Sequence, residues 1–148
     1  MLNSIYRKIY QKIKKYDTIV VARHVGPDPD AVTTQIALRD SIKETFPNKN
    51  VYAVGQSVSR FKTYGSLDKI NEDELGDALL IVVDVPNIYR IDGATFSKYK
   101  EVIKIDHHPF EDKMGELEIV DTNSCSDAKL VNDLIFNTKL KLKTSVAQ

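Results

Sequence analysis

The segment 78–83 (Ala-Leu-Leu-Ile-Val-Val) constrains the fold of this chain more than any other part, because every residue in it is apolar. A strand with one face in water alternates apolar and polar residues, so a fully apolar run indicates a strand covered on both faces. The run is far shorter than the ~20 residues needed to cross a bilayer. The sequence therefore predicts a buried strand, of the kind found in parallel sheets.

Strand-like and helix-like segments alternate along the chain. In residues 4–15 the isoleucines lie four apart, which is typical of an amphipathic helix, whereas residues 17–22 are rich in β-branched side chains, which is typical of a strand. We predict an α/β fold, a Rossmann-like parallel sheet with helices on both faces. The predicted elements are helix 4–15, strand 17–22, helix 30–46, strand 51–54, helical turn 72–75, strand 78–83, short helix 96–99, strand 101–105, strand 117–120 and helix 124–136.

Residues able to bind metal ions follow three of the predicted strands. Ligands of open α/β sheets bind beyond the carboxyl ends of the strands, so we expect these residues to line one crevice. Three of them have a simpler explanation: Asp28 can begin a helix, Asp84 can end a strand in a turn, and His24 can be structural. The three adjacent residues 106–108 are harder to explain in this way. Their joint occurrence at three strand ends favours a functional site. In chain order they are His24, Asp28, Asp30, Asp84, Asp106, His107 and His108.

The chemistry of these side chains indicates the kind of metal. Imidazoles and carboxylates without a thiolate suit Mn²⁺, Mg²⁺ or Fe²⁺ better than a structural Zn²⁺. The carboxylates outnumber what one ion needs, which predicts two ions. Two cations about 3.5–4 Å apart can activate a water and neutralise charge on a phosphoryl oxygen. Hydrolysis of a phosphate ester is the predicted reaction.

Composition narrows the setting and the partners. The 21 Lys+Arg balance the 21 Asp+Glu, so no basic excess indicates binding to duplex DNA or an acidic membrane. The single cysteine, Cys125, cannot form an internal disulfide. The first residues form an amphipathic segment, unlike an apolar signal sequence. We expect a cytoplasmic protein that does not act at a membrane.

The candidate residues resemble the motifs of the DHH phosphoesterase superfamily, over nearly the whole chain. This superfamily includes RecJ-type exonucleases, nano-RNase/pAp phosphatases, cyclic-di-AMP phosphodiesterases and manganese pyrophosphatases. The opening helix and residues 120–126 look most like the nano-RNase/pAp phosphatase group. Pro29 stands where the family usually has glycine, and residues 32–34 replace its usual Gly-Ser pair. The motifs are His24-x-x-x-Asp28-x-Asp30-Ala31, then Asp84, then Asp106-His107-His108.

The resemblance implies a set of metal ligands. On the family pattern, His24 and Asp28 hold one Mn²⁺, whereas Asp30 and His107 hold a second. Asp84 bridges the two ions. Mg²⁺ or Fe²⁺ could take the place of manganese.

Three further residues receive roles from the same resemblance. His108 faces the scissile phosphate and shares the catalytic role with Asp84. Asp106 orients a metal-bound imidazole, a function that such imidazoles usually need. Arg90 lies where the nano-RNase group often has an arginine, and it pairs with a substrate phosphate or is a solvated loop residue.

The resemblance also predicts domain organisation and substrates. It implies that residues 1–148 are a catalytic DHH domain that ends before the fourth metal-ligand motif and before a carboxyl-terminal substrate-binding domain. We therefore expect low activity from this chain alone. The implied substrates are short oligoribonucleotides or 3′,5′-bisphosphonucleotide (pAp). Hydrolysis of a cyclic dinucleotide or pyrophosphate, and nucleotide binding without catalysis, remain alternatives, and a monomer or a homodimer is left open.

Overall fold

A parallel sheet forms the centre of the structure, a computed structural model that describes residues 2–26, 29–56, 66–109, 111–123 and 126–142, without the side chains of residues 2, 3, 29 and 30. Three α-helices and six strands are present in these ranges. Three short 3-10 helices, Glu72–Glu74, Ile88–Arg90 and Phe96–Lys98, lie between strands. In chain order the main elements are α1 (Leu2–Lys15), β1 (Thr18–His24), α2 (Pro29–Thr45), β2 (Asn50–Ala53), β3 (Ala78–Val83), β4 (Ile91–Asp92), β5 (Glu101–Asp106), β6 (Leu117–Val120) and α3 (Asp127–Phe136).

The strand order is β2-β1-β3-β5-β6, and all four pairings along this path are parallel. From β1 the chain first adds β2 on one side and later adds β3 on the other side. The order of strands therefore reverses between β1 and β3. In open α/β sheets such a reversal opens a crevice at the carboxyl ends of the two strands.

Both faces of the sheet are covered. On one face, residues of all three α-helices pack with the strands, including Ile9 of α1, Ile42 of α2 and Leu134 of α3. On the other face, Leu80 and Val82 of β3 pack under connecting segments that include the 3-10 helices. The predicted α/β parallel sheet with helical segments on both faces is confirmed, with the α-helices on one side and 3-10 helices on the other.

Strand β3 has the bounds that the sequence predicts, Ala78–Val83, and its six residues are all buried. Burying one Val, Leu or Ile side chain contributes about 1.5–3 kcal/mol, so this strand is a large part of the core. Strand β4 was not predicted. It has two residues and pairs antiparallel with the end of β1, where Arg23 lies opposite Asp92.

Two other differences concern element ends. Strands β1 and β5 extend to His24 and Asp106, so two candidate site residues are the last residues of strands. Helix α3 begins at Asp127 after an N-cap at Ser126. Residues 124 and 125, predicted as helical, lie outside the described residues. In the described part of the chain, no helix is long and apolar enough to cross a membrane.

Candidate metal centre

Asp84 lies at the centre of the site, directly after β3 at the point where the strand order reverses. Its φ of 60° is in the left-handed region, which aspartate tolerates better than most residues. The Asp84 N–H donates to the carbonyl of Ile105 in β5 at 3.0 Å, which ties this turn to the neighbouring strand. Such a conformation costs about 1–3 kcal/mol and is typical of functional sites.

Three imidazoles face the Asp84 carboxylate. Nε2 of His24, at the end of β1, lies 3.3 Å from Oδ2. On the side of β5, Nε2 of His107 lies 3.2 Å from Oδ1, and Nδ1 of His108 lies 3.6 Å from the same oxygen. Residues that follow three different strands thus meet at one carboxylate, at the sheet edge that the sequence indicated.

The hydrogen bond of His24 determines which of its nitrogens is available. The Val25 carbonyl, 2.7 Å from Nδ1 of His24, can only accept a hydrogen bond. Nδ1 therefore carries a proton, and Nε2 is the nitrogen directed towards Asp84. A neutral imidazole whose second nitrogen donates to a carbonyl is the usual form of a metal-binding histidine.

His108 is held in a similar way by Asp106. The Asp106 carboxylate, which is fully buried, accepts a 2.7 Å hydrogen bond from Nδ1 of His108. This leaves Nε2 of a half-exposed imidazole for a ligand. Asp106 was expected to orient a metal-bound imidazole, and the hydrogen bond goes to His108, the residue expected to face substrate.

Asp127 is part of the same centre, although it lies outside the motifs of the sequence. One carboxylate oxygen each of Asp84, Asp106 and Asp127 lie within 4.8 Å of one another. Oδ1 of Asp127 is also 3.9 Å from Nε2 of His107. Helical spacing could have indicated that Asp127 is buried. Position 127 is three and four residues before Leu130 and Val131, both of which face the core, so the three residues share one face of the helix.

The electrostatics of this cluster are unfavourable without a cation. Burial raises the pKa of Asp127 to about 8, and the charges of Asp84 and Asp106 add to the rise. The backbone N–H groups of Asp84 and His107 lie near this carboxylate and lower its pKa, although neither makes a hydrogen bond of normal geometry to it. Oδ2 of Asp106 and both carboxylate oxygens of Asp127 accept no hydrogen bond from the described residues. Buried oxygens together with imidazole nitrogens fit a hard or borderline divalent cation.

The remaining predicted ligands are Asp28 and Asp30. Asp28 lies outside the described residues. Asp30 is in the first turn of α2, but its side chain also lies outside them. Their roles as metal ligands therefore stay predictions.

Arg90 is exposed and ends the 3-10 helix Ile88–Arg90. Its carbonyl accepts a 2.7 Å hydrogen bond from the N–H of Val25, which places the Arg90 backbone beside the residue that follows His24. The arginine ion pairs found among the described residues belong to Arg23 and Arg39. The pairing of Arg90 with a phosphate stays a prediction.

An ion pair of a buried arginine supports the end of β1. Arg23, which precedes His24, is fully buried, and its guanidinium donates to the Asp92 carboxylate and, at 2.6 Å, to the Gln56 carbonyl. Gly55 makes room for this guanidinium, because a Cβ at position 55 would lie 2.1 Å from Nη1 of Arg23. This packing fixes the strand end that presents His24.

Known proteins resemble this chain in sequence over part of their length. A protein of Streptococcus mutans named probable bifunctional oligoribonuclease and PAP phosphatase NrnA is 38% identical over 143 residues, 97% of this chain and 46% of that protein. The Bacillus subtilis protein named bifunctional oligoribonuclease and PAP phosphatase NrnA is 38% identical over 144 residues, 95% of this chain and 46% of that protein. The chain thus spans about half the length of these curated relatives.

A solved structure shows the same fold. The crystal structure of an exopolyphosphatase-related protein from Bacteroides fragilis matches with a TM-score of 0.71 at 18% identity, over 90% of this chain and 43% of that one. Residues 18–148 match the family model described as DHH family, N-terminal domain. The chain therefore belongs to the DHH family, and its match is to the N-terminal domain of that family.

Proposed function

We propose that this chain is the catalytic domain of a metal-dependent phosphoesterase that hydrolyses short oligoribonucleotides or pAp. The observation that carries the proposal is the meeting of His24, His107 and His108 at the Asp84 carboxylate, with further buried carboxylates beside it. Membership of the DHH family supports the class of reaction. The relatives are named as oligoribonucleases and PAP phosphatases, and these names support the class of substrate.

The proposal assigns two Mn²⁺ ions to the centre. His24, Asp28 and Asp84 would hold one ion, and Asp30, Asp84 and His107 would hold the other. Two such cations supply an activated water and neutralise the charge that develops on the phosphoryl oxygens. The inward-facing Nε2 of His24, set by its hydrogen bond to Val25, supports this assignment.

The substrate would approach from the exposed side of the centre. Nε2 of His108 is the imidazole nitrogen available to a phosphate oxygen, because Nδ1 is bound to Asp106. Arg90 would add a positive charge for a neighbouring phosphate. Tyr89, with 94% of its surface exposed, precedes Arg90 and would offer an aromatic ring on which a nucleobase can stack.

The test is an assay of the metal-free chain and its Mn²⁺-loaded form against pAp, a dinucleotide, a cyclic dinucleotide and pyrophosphate. We expect slow, Mn²⁺-dependent hydrolysis of pAp or the dinucleotide that Asp84→Asn abolishes. Orientation of a substrate contributes several kcal/mol to catalysis. The rate should therefore be lower, by a factor of about 100 or more, than that of the B. subtilis relative, whose length is about twice that matched here.

Other outcomes would separate the alternatives. Hydrolysis of only the cyclic dinucleotide or only pyrophosphate would show that the substrate class is wrong. Nucleotide binding without Mn²⁺ uptake would favour a non-catalytic domain. A rate equal to that of the B. subtilis protein would contradict the expected need for a second, substrate-binding domain.

A further inference from the structure

The carboxylate of Asp127 has no structural explanation within its own helix. Asp127 is the first residue of α3, and its side chain is 2% exposed. An acidic residue in a first helical turn commonly accepts a hydrogen bond from a free backbone N–H group. Ser126 already caps α3 by accepting from the N–H of Lys129 at 3.3 Å, whereas neither oxygen of Asp127 accepts a hydrogen bond of normal geometry from a described residue.

The carboxylate instead faces the metal centre. Oδ1 of Asp127 lies 3.9 Å from Nε2 of His107, which itself lies 3.2 Å from Oδ1 of Asp84. Around an octahedral cation with bonds of about 2.1 Å, two ligand atoms are about 3.0 Å apart when adjacent and about 4.2 Å apart when opposite. Both observed distances fall within this range.

The charges around Asp127 also require compensation. Asp106, which is fully buried, and Asp84 lie in the same cluster. Within the described ranges, the ion pairs of Asp106 and Asp127 are with imidazoles. Burying an uncompensated carboxylate costs several kcal/mol, and a buried oxygen without a partner commonly marks the place of an ion or water.

We propose that Asp127 is a ligand of the cation held by His107 and Asp84. The inference rests on the proposed function, in which Asp30, Asp84 and His107 hold that cation. Asp127 adds a carboxylate that the sequence motifs did not include, and a further hard oxygen ligand strengthens the binding of a hard dication. The start of α3 thereby becomes part of the metal site.

The test compares Asp127→Asn with Asp133→Asn by calorimetric titration of Mn²⁺ into the metal-free chain. Asp133 is the matched control, because it lies on α3 and loses the same charge, but its carboxylate pairs with Lys129 at the surface at 3.0 Å. We expect the wild-type chain to bind two ions. Asp127→Asn should raise the Kd of one of them about tenfold or more, and Asp133→Asn should change neither.

Thermal unfolding distinguishes a ligand from a structural residue. In the metal-free state, Asp127→Asn should have a Tm equal to or above that of the wild type, because an uncompensated buried carboxylate has been removed. Mn²⁺ should then raise the Tm of Asp127→Asn less than that of the wild type. A lower metal-free Tm with unchanged Mn²⁺ affinity would assign Asp127 a structural role and overturn the inference.

The two proposals fail in different ways. If the wild-type chain binds no Mn²⁺, the proposed function fails and the role of Asp127 with it. If the wild type binds two ions and Asp127→Asn binds both with unchanged Kd, only the inference is overturned. If Asp127→Asn does not fold, the same titration is made with Asp127→Ser, which has a smaller side chain. That variant must then show one weakened Mn²⁺ site.

Discussion

The buried carboxylate of Asp106 accepts a 2.7 Å hydrogen bond from Nδ1 of His108. This bond fixes the tautomer of His108 and the direction of its ring, as the carboxylate partners of functional imidazoles commonly do. If His108 contacts the substrate as proposed, Asp106 would act on that substrate through His108, and its removal would have a distinct signature in kinetics.

We predict that Asp106→Asn lowers turnover of the favoured substrate by a factor of about 10–100, because His108 loses its fixed orientation. The measurement is a double-mutant cycle in kcat with His108→Ala. If Asp106 acts through His108, the double variant should be no slower than His108→Ala alone. Additive losses would instead show that Asp106 contributes to the centre independently of His108.

The central position of Asp84 predicts how the two proposed metal sites are coupled. Asp84→Asn should weaken both Mn²⁺ sites, by about tenfold or more each, whereas His24→Gln should weaken mainly one. Asparagine is the suitable replacement, because it also tolerates the left-handed φ of 60° at this position. Calorimetric titration of the metal-free proteins checks this. Equal and small losses for both variants would contradict the bridging role.

The packing of Gly55 against Arg23 predicts a stability effect remote from the metals. Gly55→Ala should lower the free energy of unfolding by at least about 2 kcal/mol, since its φ of 128° disfavours a side chain and the added Cβ meets the buried guanidinium. Gly76→Ala is the control, with a φ of 67° and open space around it, and should cost about 1 kcal/mol. Urea unfolding measures both. A similar cost at the two positions would show that the guanidinium moves aside.

Tyr16 predicts a loss of stability at alkaline pH. Its hydroxyl donates to Glu101 at 2.9 Å, and burial, followed by that carboxylate, raises the pKa of Tyr16 to about 12. The folded pKa lies above the ordinary value of 10.0, so the native state keeps the proton longer than the unfolded chain does. The stability that Tyr16 contributes is therefore complete below pH 10 and is lost as the pH rises towards 12.

The measurement compares the wild type with Tyr16→Phe in urea between pH 8 and about pH 12. At pH 8 the variant should be less stable by about 1 kcal/mol, the contribution of a typical hydrogen bond. This difference should shrink as the pH rises. Tyr89→Phe, at a residue 94% exposed, should keep the wild-type profile throughout. A pH-independent difference for Tyr16→Phe would show that its proton is not held by the fold.

The elements that the sequence predicted well are those that local patterns determine. The bounds of β3 and of β6 were predicted correctly. The order of apolar and polar residues along a strand indicates directly whether one or both of its faces are buried. The meeting of His24, Asp84 and His107 followed from the same pattern, since parallel strands bring their carboxyl ends to one edge. Their roles as metal ligands are still predictions, as are those of Asp28 and Asp30.

Other features were decided by contacts between distant parts of the chain. Strand β4 has two residues, too few for a periodic signal, and its pairing with β1 is accompanied by the ion pair between Arg23 and Asp92. Which histidine Asp106 binds is likewise a matter of side-chain orientation in the folded state.

Asp127 shows most clearly the difference between what local sequence determines and what tertiary contacts decide. The sequence by itself determined that a helix with an apolar face follows β6, and position 127 lies on that face. Only the tertiary structure decided what this face meets at its first turn: the packing of α3 on α2 and β5 brings Asp127 to Asp84 and His107. The physical reason is that helical periodicity specifies the direction of a side chain around its own axis, whereas the packing of the helix specifies which charges that side chain faces.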